Sequence, residues 1–501
     1  MELSKSRYCK GVQCPKMLWM DTNMPWKFDS SVMNKAALTT GTAVGKIARD
    51  YFGGYSKIAF SRNKERMAEA TRCLLDNGTA VITEAAFLYN NNFCISDILR
   101  KVLGGYELIE VKASSFSADD GISKIKPIYL YDMAFQTHII TDYGIDLKKV
   151  SIMQINRDYV RQGNLDIREL FVLTDFTDQV FGMQKGMSDS IAEIKSVAAQ
   201  EEEPDIVIGS RCDDPYECGY KNWCFRNLPP NSVFDIGWSM RDSKKDEAYY
   251  AGIVTFEDVL NCNLNLNEKQ LRQVTVAVQN LPPQINKESI RDFLSTISYP
   301  LYHLDFETFQ QAIPLWDGVS PYKQIPFQYS LHIQDGICGK TSHKEFLAKE
   351  GLDPRRQLAE RLCADIPLNA CVMVYNKSFE KGRINELAKL FPDLSEHLMS
   401  INDGMIDLAV PFQSGDYYCQ EMGGSYSIKS VLPALCPDDP ELNYNALSLI
   451  HNGSEAMETY ATLHEQPPEA IAEIRVALLA YCHLDTLAMV KVLERLYTIT
   501  R

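Results

Sequence analysis

Apolar positions along this chain repeat with two periods, and the changes between them mark its elements. Residues 4–19, 41–52 and 62–77 carry helical spacing, with Val44, Ile47, Ala48 and Tyr51 on one face of the second. The third ends at Gly78, where a left-handed cap needs no Cβ. Strand patterns follow at 80–87, 93–99 and 106–112, then a helix around Asp132 to Gln136. Residues 150–173 read as a strand, a turn and a strand edge, and a helix is predicted from 175 to 200. Pro229-Pro230 breaks the pattern, and 247–260 reads as a small helix-turn-helix. Leu281-Pro282-Pro283 precedes another helix, and a strand at 302–309 follows it. The apolar strand 370–375 leads through Asn376 into a helix carrying Phe379, Glu380, Ile384, Leu387 and Ala388. A late helix spans 474–496. This pattern predicts an α/β chain in three parts: 1–228, a helical spacer at 229–284, and 285–501.

Composition narrows the class. Of 501 residues, 45% are hydrophobic and 23% charged, the balance of an ordinary globular protein. No run of ~18 apolar residues is present and residues 1–5 lack a signal-peptide core, so the expected location is the cytoplasm, with no membrane role. Fourteen cysteines are then expected to be reduced. The net charge of −15 is unevenly divided. Residues 1–230 hold 28 Lys and Arg against 30 Asp and Glu, leaving 23 against 36 for the rest. An acidic second half argues against a tight, non-specific nucleic-acid binder and for weak, salt-sensitive binding or a protein partner that offsets the charge.

Within the 302–309 strand, Asp305 and Glu307 are two apart and share a face. Two adjacent carboxylates call for a cation, and Mg²⁺ or Mn²⁺ is the usual one where substrate phosphates complete the shell. Glu380 opens the helix after Asn376, and Tyr481 and Asp485 lie one turn apart on the late helix. The order Asp-x-Glu, Asn-x₃-Glu, Tyr-x₃-Asp resembles the DEDD exonucleases of the RNase H-like (DnaQ-like) fold. The resemblance implies that Asp305, Glu307, Glu380 and Asp485 bind two metals, that Tyr481 orients the attacking water, and that strands are trimmed 3′→5′. Glu380 stands where that family usually has Asp.

A second constellation lies earlier. Glu110 and Lys112 flank Val111 and share a strand face, with Asp97 on the strand before and Glu84 one strand earlier still. An acid followed by Glu-x-Lys resembles the PD-(D/E)XK nucleases. Asp97 and Glu110, with Glu84 as a further acid, would hold a divalent metal, and Lys112 would orient the nucleophile or balance transition-state charge. Gln136 resembles the glutamine of the RecB-type subfamily, which contacts substrate or metal-bound water; Ile140 replaces its usual tyrosine.

Cys212, Cys218 and Cys224 follow at equal spacing in a turn-rich loop. Their number suits zinc or an iron–sulfur cluster, and they lack the tight pairs common at zinc. They resemble the late cysteines of iron–sulfur RecB-type and CRISPR-adaptation nucleases, which implies a [4Fe-4S] cluster with Cys14 as fourth ligand and Cys9 as the alternative; Zn²⁺ is the other candidate cofactor. The runs Met405-Ile406-Asp407-Leu408 and 424–433 look like parts of one bacterial family in which a DEDD-type domain follows a RecB-type domain. The resemblance implies a restriction-endonuclease-like α/β core with a cysteine-ligated cluster, a helical spacer and an RNase H-like exonuclease domain. The implied function is a metal-dependent exonuclease acting on single-stranded or ended DNA. An RNA exonuclease, or a nucleic-acid-binding or assembly protein with inactive or partner-dependent sites, is the alternative.

Overall fold

The computed structural model describes residues 1–501 apart from 34, 118–124, 438, 440 and 441 and the side chains of 35 and 445. The chain is mixed α/β and forms two compact units, Met1–Asn227 with Gln311–Tyr322, and Leu228–Gln310 with Lys323–Arg501. The main segment of the first unit ends at Asn227, beside the boundary drawn at 228. The spacer forms no unit of its own: it belongs to the second, although Val233, Ile236, Phe256, Val259 and Val274 give it a small core. The twelve residues 311–322 join the first unit, with Ala312 packed into its core.

In the first unit, β1 (Leu3–Ser4), β2 (Ser56–Lys57), β3 (Val81–Tyr89), β4 (Asn92–Val102), β5 (Gly105–Phe116), β6 (Leu147–Asn156) and β7 (Phe171–Asp175) form one sheet. Its order is β2-β3-β4-β5-β6-β7, and β1 pairs with β4. β4 and β5 are antiparallel only from Ile98 and Ile109 outward. The first half of β4 is thereby left for β1, which pairs in parallel with Asn92 and Phe93 and delivers Lys5 beside it. The helix Pro127–Asp142 covers this sheet with Met133, Phe135 and Ile139 in the core.

Two predicted helices are broken. Residues 4–19 make one helix at Lys5–Gln13 and another at Pro15–Asn23, because Pro15 has no N–H to continue the first and instead opens the second, with Cys14 as its cap. The 175–200 stretch divides into Thr177–Met183 and Met187–Ala198 around Gly186. The helix Lys64–Asp76 does end at Gly78, whose φ of +68° glycine adopts without strain.

The second unit adds β8 (Gln284–Ile285), β9 (Leu301–Phe309), β10 (Ile325–Gln334), β11 (Thr341–Leu347), β12 (Cys371–Val374), β13 (Met405–Asp407) and β14 (Tyr417–Tyr418). Five form a sheet in the order β11-β10-β9-β12-β13, while β8 and β14 pair separately. β10 is antiparallel to both neighbours; β9, β12 and β13 are parallel. Leu304, Phe306, Val372 and Val374 enter one core with Ile384 and Leu387 of the helix Lys377–Leu390. The 33-residue helix Pro468–Thr500 is long and apolar enough to cross a membrane by length and composition, but 61% of its most apolar window is buried inside the fold.

Candidate active sites

In the second unit, the parallel strands end at the same edge, and the carboxylates gather there. β9 supplies Asp305 and Glu307 on one face, level with Ser330 and Gln328 of β10. β12 ends at Val374, and the chain turns at Asn376 (φ +68°) into the helix bearing Glu380. Asp407 holds that turn: its carboxylate accepts the N–H groups of Asn376 at 2.9 Å and Lys377 at 3.0 Å. The 33-residue helix adds Tyr481 and Asp485. All five predicted residues line one cavity of about 210 Å³, together with Tyr375, Ser427 and Lys429.

Burial and crowded carboxylates set the electrostatics of this cavity, and Lys429 offsets them in part. Burial, reinforced by Asp485, Glu307 and Glu380, raises Asp305 well above the usual carboxylate range. Burial first, then Asp485, pushes Glu307 to about 8, and burial pushes Glu380 to about 8 with Asp407 adding to it. Asp485 rises to about 6, again through burial, held back by a 2.6 Å hydrogen bond donated by Tyr444 and by Lys429. Glu380 Oε2 is buried without a hydrogen-bond partner among the described residues. A divalent cation would supply what this oxygen lacks, so the donor set fits Mg²⁺ or Mn²⁺.

Sequence reasoning missed several participants. Lys429 lies over the rings of Tyr444 and Tyr481 at 5.3 and 5.5 Å. A sulfur and oxygens of Cys482, Asp305 and Glu307 lie within 4.8 Å of one another. Gly453 opens the helix Gly453–Ala461 beside the site, where a Cβ would lie 3.7 Å from Glu307 Oε2. Cys482 follows Tyr481 on the long helix and Lys429 lies in the 424–433 run, whereas Gly453 comes from a separate part of the chain and carries no local signal.

The first unit builds a different cluster. Asp97 Oδ2 accepts the N–H of Val111 at 2.8 Å, just beyond the end of the β4–β5 ladder. Glu110 Oε1 receives Lys5 at 2.7 Å and Lys112 at 2.8 Å, and Lys112 reaches Asp132 at 2.7 Å. Gln136 donates to Glu110 Oε2 at 2.8 Å and to Asp132 Oδ1 at 3.0 Å. Burial opposes the charge on Glu110, yet Lys112 and Lys5 pull its carboxyl well below the usual range. Burial and Glu110 push Asp97 up to about 7. Two lysines already neutralise much of this site. Lys5 and Asp132 were assigned no role from sequence; Asp132 is one turn before Gln136, a spacing that could have revealed it.

Glu84 has a cationic partner of its own. It sits level with Asp97 at a break in the β3–β4 ladder with φ +58°, and its carboxylate is bonded to Arg49 at 2.6 Å.

Cys14, Cys212, Cys218 and Cys224 lie near one another. Cys14, Cys212 and Cys218 pack with Met17, Trp19, Met20 and Tyr220, and Trp223 lies against the same cluster. Burial raises all four thiols, Cys218 to about 12, and each of the late three is raised further by Cys14. Four convergent thiols in an apolar shell fit either a [4Fe-4S] cluster or Zn²⁺. Cys9 lies elsewhere: its thiol is raised by burial and then by Asp132, beside the Glu110–Lys112 cluster.

Fold and sites thus define an α/β protein with two buried carboxylate clusters and a four-cysteine cluster. Residues 302–427 match a family described as a domain of unknown function, DUF2779. The match takes in Asp305, Glu307 and Glu380 and stops before Lys429, Tyr481 and Asp485. The chain is 31% identical over 182 residues to the uncharacterized protein UU173 of Ureaplasma parvum, covering 32% of this chain and 25% of that protein. It is 27% identical over 209 residues to the uncharacterized MG366 homolog of Mycoplasma pneumoniae, covering 38% of this chain and 31% of that protein. The chain therefore spans about a quarter to a third of the curated relatives it matches.

Proposed function

We propose that the protein is a metal-dependent nuclease whose second unit is an RNase H-like, DEDD-type exonuclease acting on DNA ends. The observation that carries this reading is the single cavity shared by Asp305, Glu307, Glu380, Asp485 and Tyr481. The strand order β11-β10-β9-β12-β13, with β10 antiparallel, supports the same reading. In it, the four carboxylates hold Mg²⁺ or Mn²⁺, which when bound would acidify water and offset charge on the scissile phosphate. Tyr481 orients the water through its hydroxyl, Tyr444 keeps Asp485 in place, and exposed Lys429 attracts the phosphate backbone.

The first unit is proposed as a PD-(D/E)XK site with Asp97 and Glu110 as ligands and Lys112 as the charge-balancing group. Asp132 and Gln136 orient Glu110 and Lys112, and Cys14, Cys212, Cys218 and Cys224 hold an iron–sulfur cluster or zinc. A second reading follows from Lys5, which shares Glu110 Oε1 with Lys112. This site would then act only when substrate or a partner withdraws Lys5.

The test is degradation of 5′- and 3′-labelled single-stranded DNA and matched RNA with Mg²⁺ or Mn²⁺. Wild type, Asp305→Ala, Lys112→Ala and the double variant are compared. Two active sites predict a distinct product pattern lost in each single variant and an inert double variant. No cleavage by wild type of either substrate, with either metal, would overturn the free-standing nuclease in favour of a binding or assembly role.

A further inference from the structure

The 33-residue helix presents other chemistry two residues before Asp485. His483 meets His332 and His343, which are direct register partners on β10 and β11. The ring centroids are 4.5 Å apart for His332 and His343, 4.7 Å for His332 and His483, and 4.3 Å for His343 and His483. One nitrogen of each ring lies within 4.8 Å of the other two. His343 Nε2 and His483 Nδ1 are 3.3 Å apart. Tetrahedral zinc with bonds of about 2.0–2.1 Å separates its ligand nitrogens by roughly that distance.

Surrounding groups already orient the rings. Thr486 Oγ1 bonds His332 Nδ1 at 2.7 Å and Ser330 Oγ at 2.6 Å, and Ser330 bonds His343 Nε2 at 2.9 Å. Thr486 holds His332 through Nδ1 and leaves its Nε2 for a metal, whereas an ion bound at His343 Nε2 would displace the Ser330 bond. Burial, with the neighbouring imidazoles, lowers His332 to about 3 and His343 to about 4, so both rings are neutral with lone pairs available near neutral pH.

We propose that His332, His343 and His483 form a binding site for one Zn²⁺-class ion, distinct from the carboxylate pocket. Three imidazole nitrogens select a borderline-soft ion, whereas the all-oxygen set of Asp305, Glu307, Glu380 and Asp485 suits hard Mg²⁺ or Mn²⁺. Three protein ligands leave a fourth position for water, and His343 and His483 are only partly buried, so the ion has a route in. Bound there, it ties the β10–β11 hairpin to the helix that carries Tyr481 and Asp485. The proposal does not depend on the nuclease reading.

The test uses the full chain, stripped with chelator and titrated with Co²⁺ as a spectroscopic stand-in for Zn²⁺. Nitrogen-bound Co²⁺ gives visible d–d bands without the thiolate-to-cobalt charge transfer expected at the cysteines. Wild type should take up one equivalent more than His343→Ala or His483→Ala, while Cys212→Ser should lose charge-transfer intensity and the d–d bands of the cysteine site but keep the histidine-dependent d–d bands. Equal uptake and identical d–d bands in wild type and both histidine variants would overturn the site. Should either variant fail to fold, diethyl pyrocarbonate labelling of wild type decides. Zn²⁺ should protect His343 and His483 but not exposed His451, and labelling unchanged by Zn²⁺ would equally overturn the proposal.

Discussion

Replacing Glu380 by Gln isolates the cost of burying a carboxylate in the second unit. Glu380 is 3% exposed, its Oε2 has no hydrogen-bond partner among the described residues, and burial moves its carboxyl from 4.5 to about 8. The folded state therefore keeps a proton that the unfolded chain releases between these values. The associated stability is fully present below pH 4.5 and is lost as pH rises through about 8. At about 1.4 kcal/mol per unit the full span is roughly 5 kcal/mol. Relaxation of a pocket open to water reduces this, and ~2–3 kcal/mol is expected between pH 5 and 8. Gln has the same shape and no proton to lose. Metal-free wild type should lose ~2–3 kcal/mol more than Glu380→Gln over that pH range, by urea unfolding in EDTA. Two compact units can unfold separately, so the comparison follows the transition that the substitution moves. Saturating Mn²⁺ should stabilise wild type increasingly as pH rises and the variant much less. Parallel pH profiles for the two proteins, or equal stabilisation by Mn²⁺, would refute the assignment of Glu380 to a cation site.

Three further outcomes are expected. Tyr481→Phe should slow single-turnover cleavage at saturating Mn²⁺ by about 10²-fold, the low end for a lost proton-positioning group, without weakening Mn²⁺ binding; an unchanged rate removes Tyr481 from the chemistry. Lys112→Ala should abolish the first unit's cleavage. Its stability loss should fall below the ~3–5 kcal/mol of a fully broken buried pair, because Lys5 still neutralises Glu110, and a melt showing a larger loss would contradict that sharing. Cys218→Ser should release the metal of the four-cysteine site, whereas Cys9→Ser should keep it, as read from metal content and visible absorption of anaerobically purified protein; equal loss in both would return Cys9 to the ligand set.

Short-range geometry made part of both sites readable. A strand's two-residue period puts Asp305 with Glu307 and Glu110 with Lys112, and a helix's near-four-residue period puts Tyr481 with Asp485. The apolar runs that became β9, β12 and the long helix were visible for the same reason, as local pattern is copied directly into local structure. Failures arose where a single residue overrode the pattern: Pro15 split one helix and Gly186 another.

The sequence by itself therefore determined which side chains share a face, and hence the pairs at the heart of each cluster. Only the tertiary structure decided what stands opposite them. β1 brings Lys5 to Glu110 across 105 residues, and Tyr444 reaches Asp485 across 41. Arg49 claims Glu84, Cys14 rather than Cys9 joins the late cysteines, and His483 meets two histidines from a hairpin about 140 residues earlier. Such meetings depend on strand order and on which segments the cores draw together. Burial within those cores then sets the charge state of each group, and one-dimensional spacing carries no record of either.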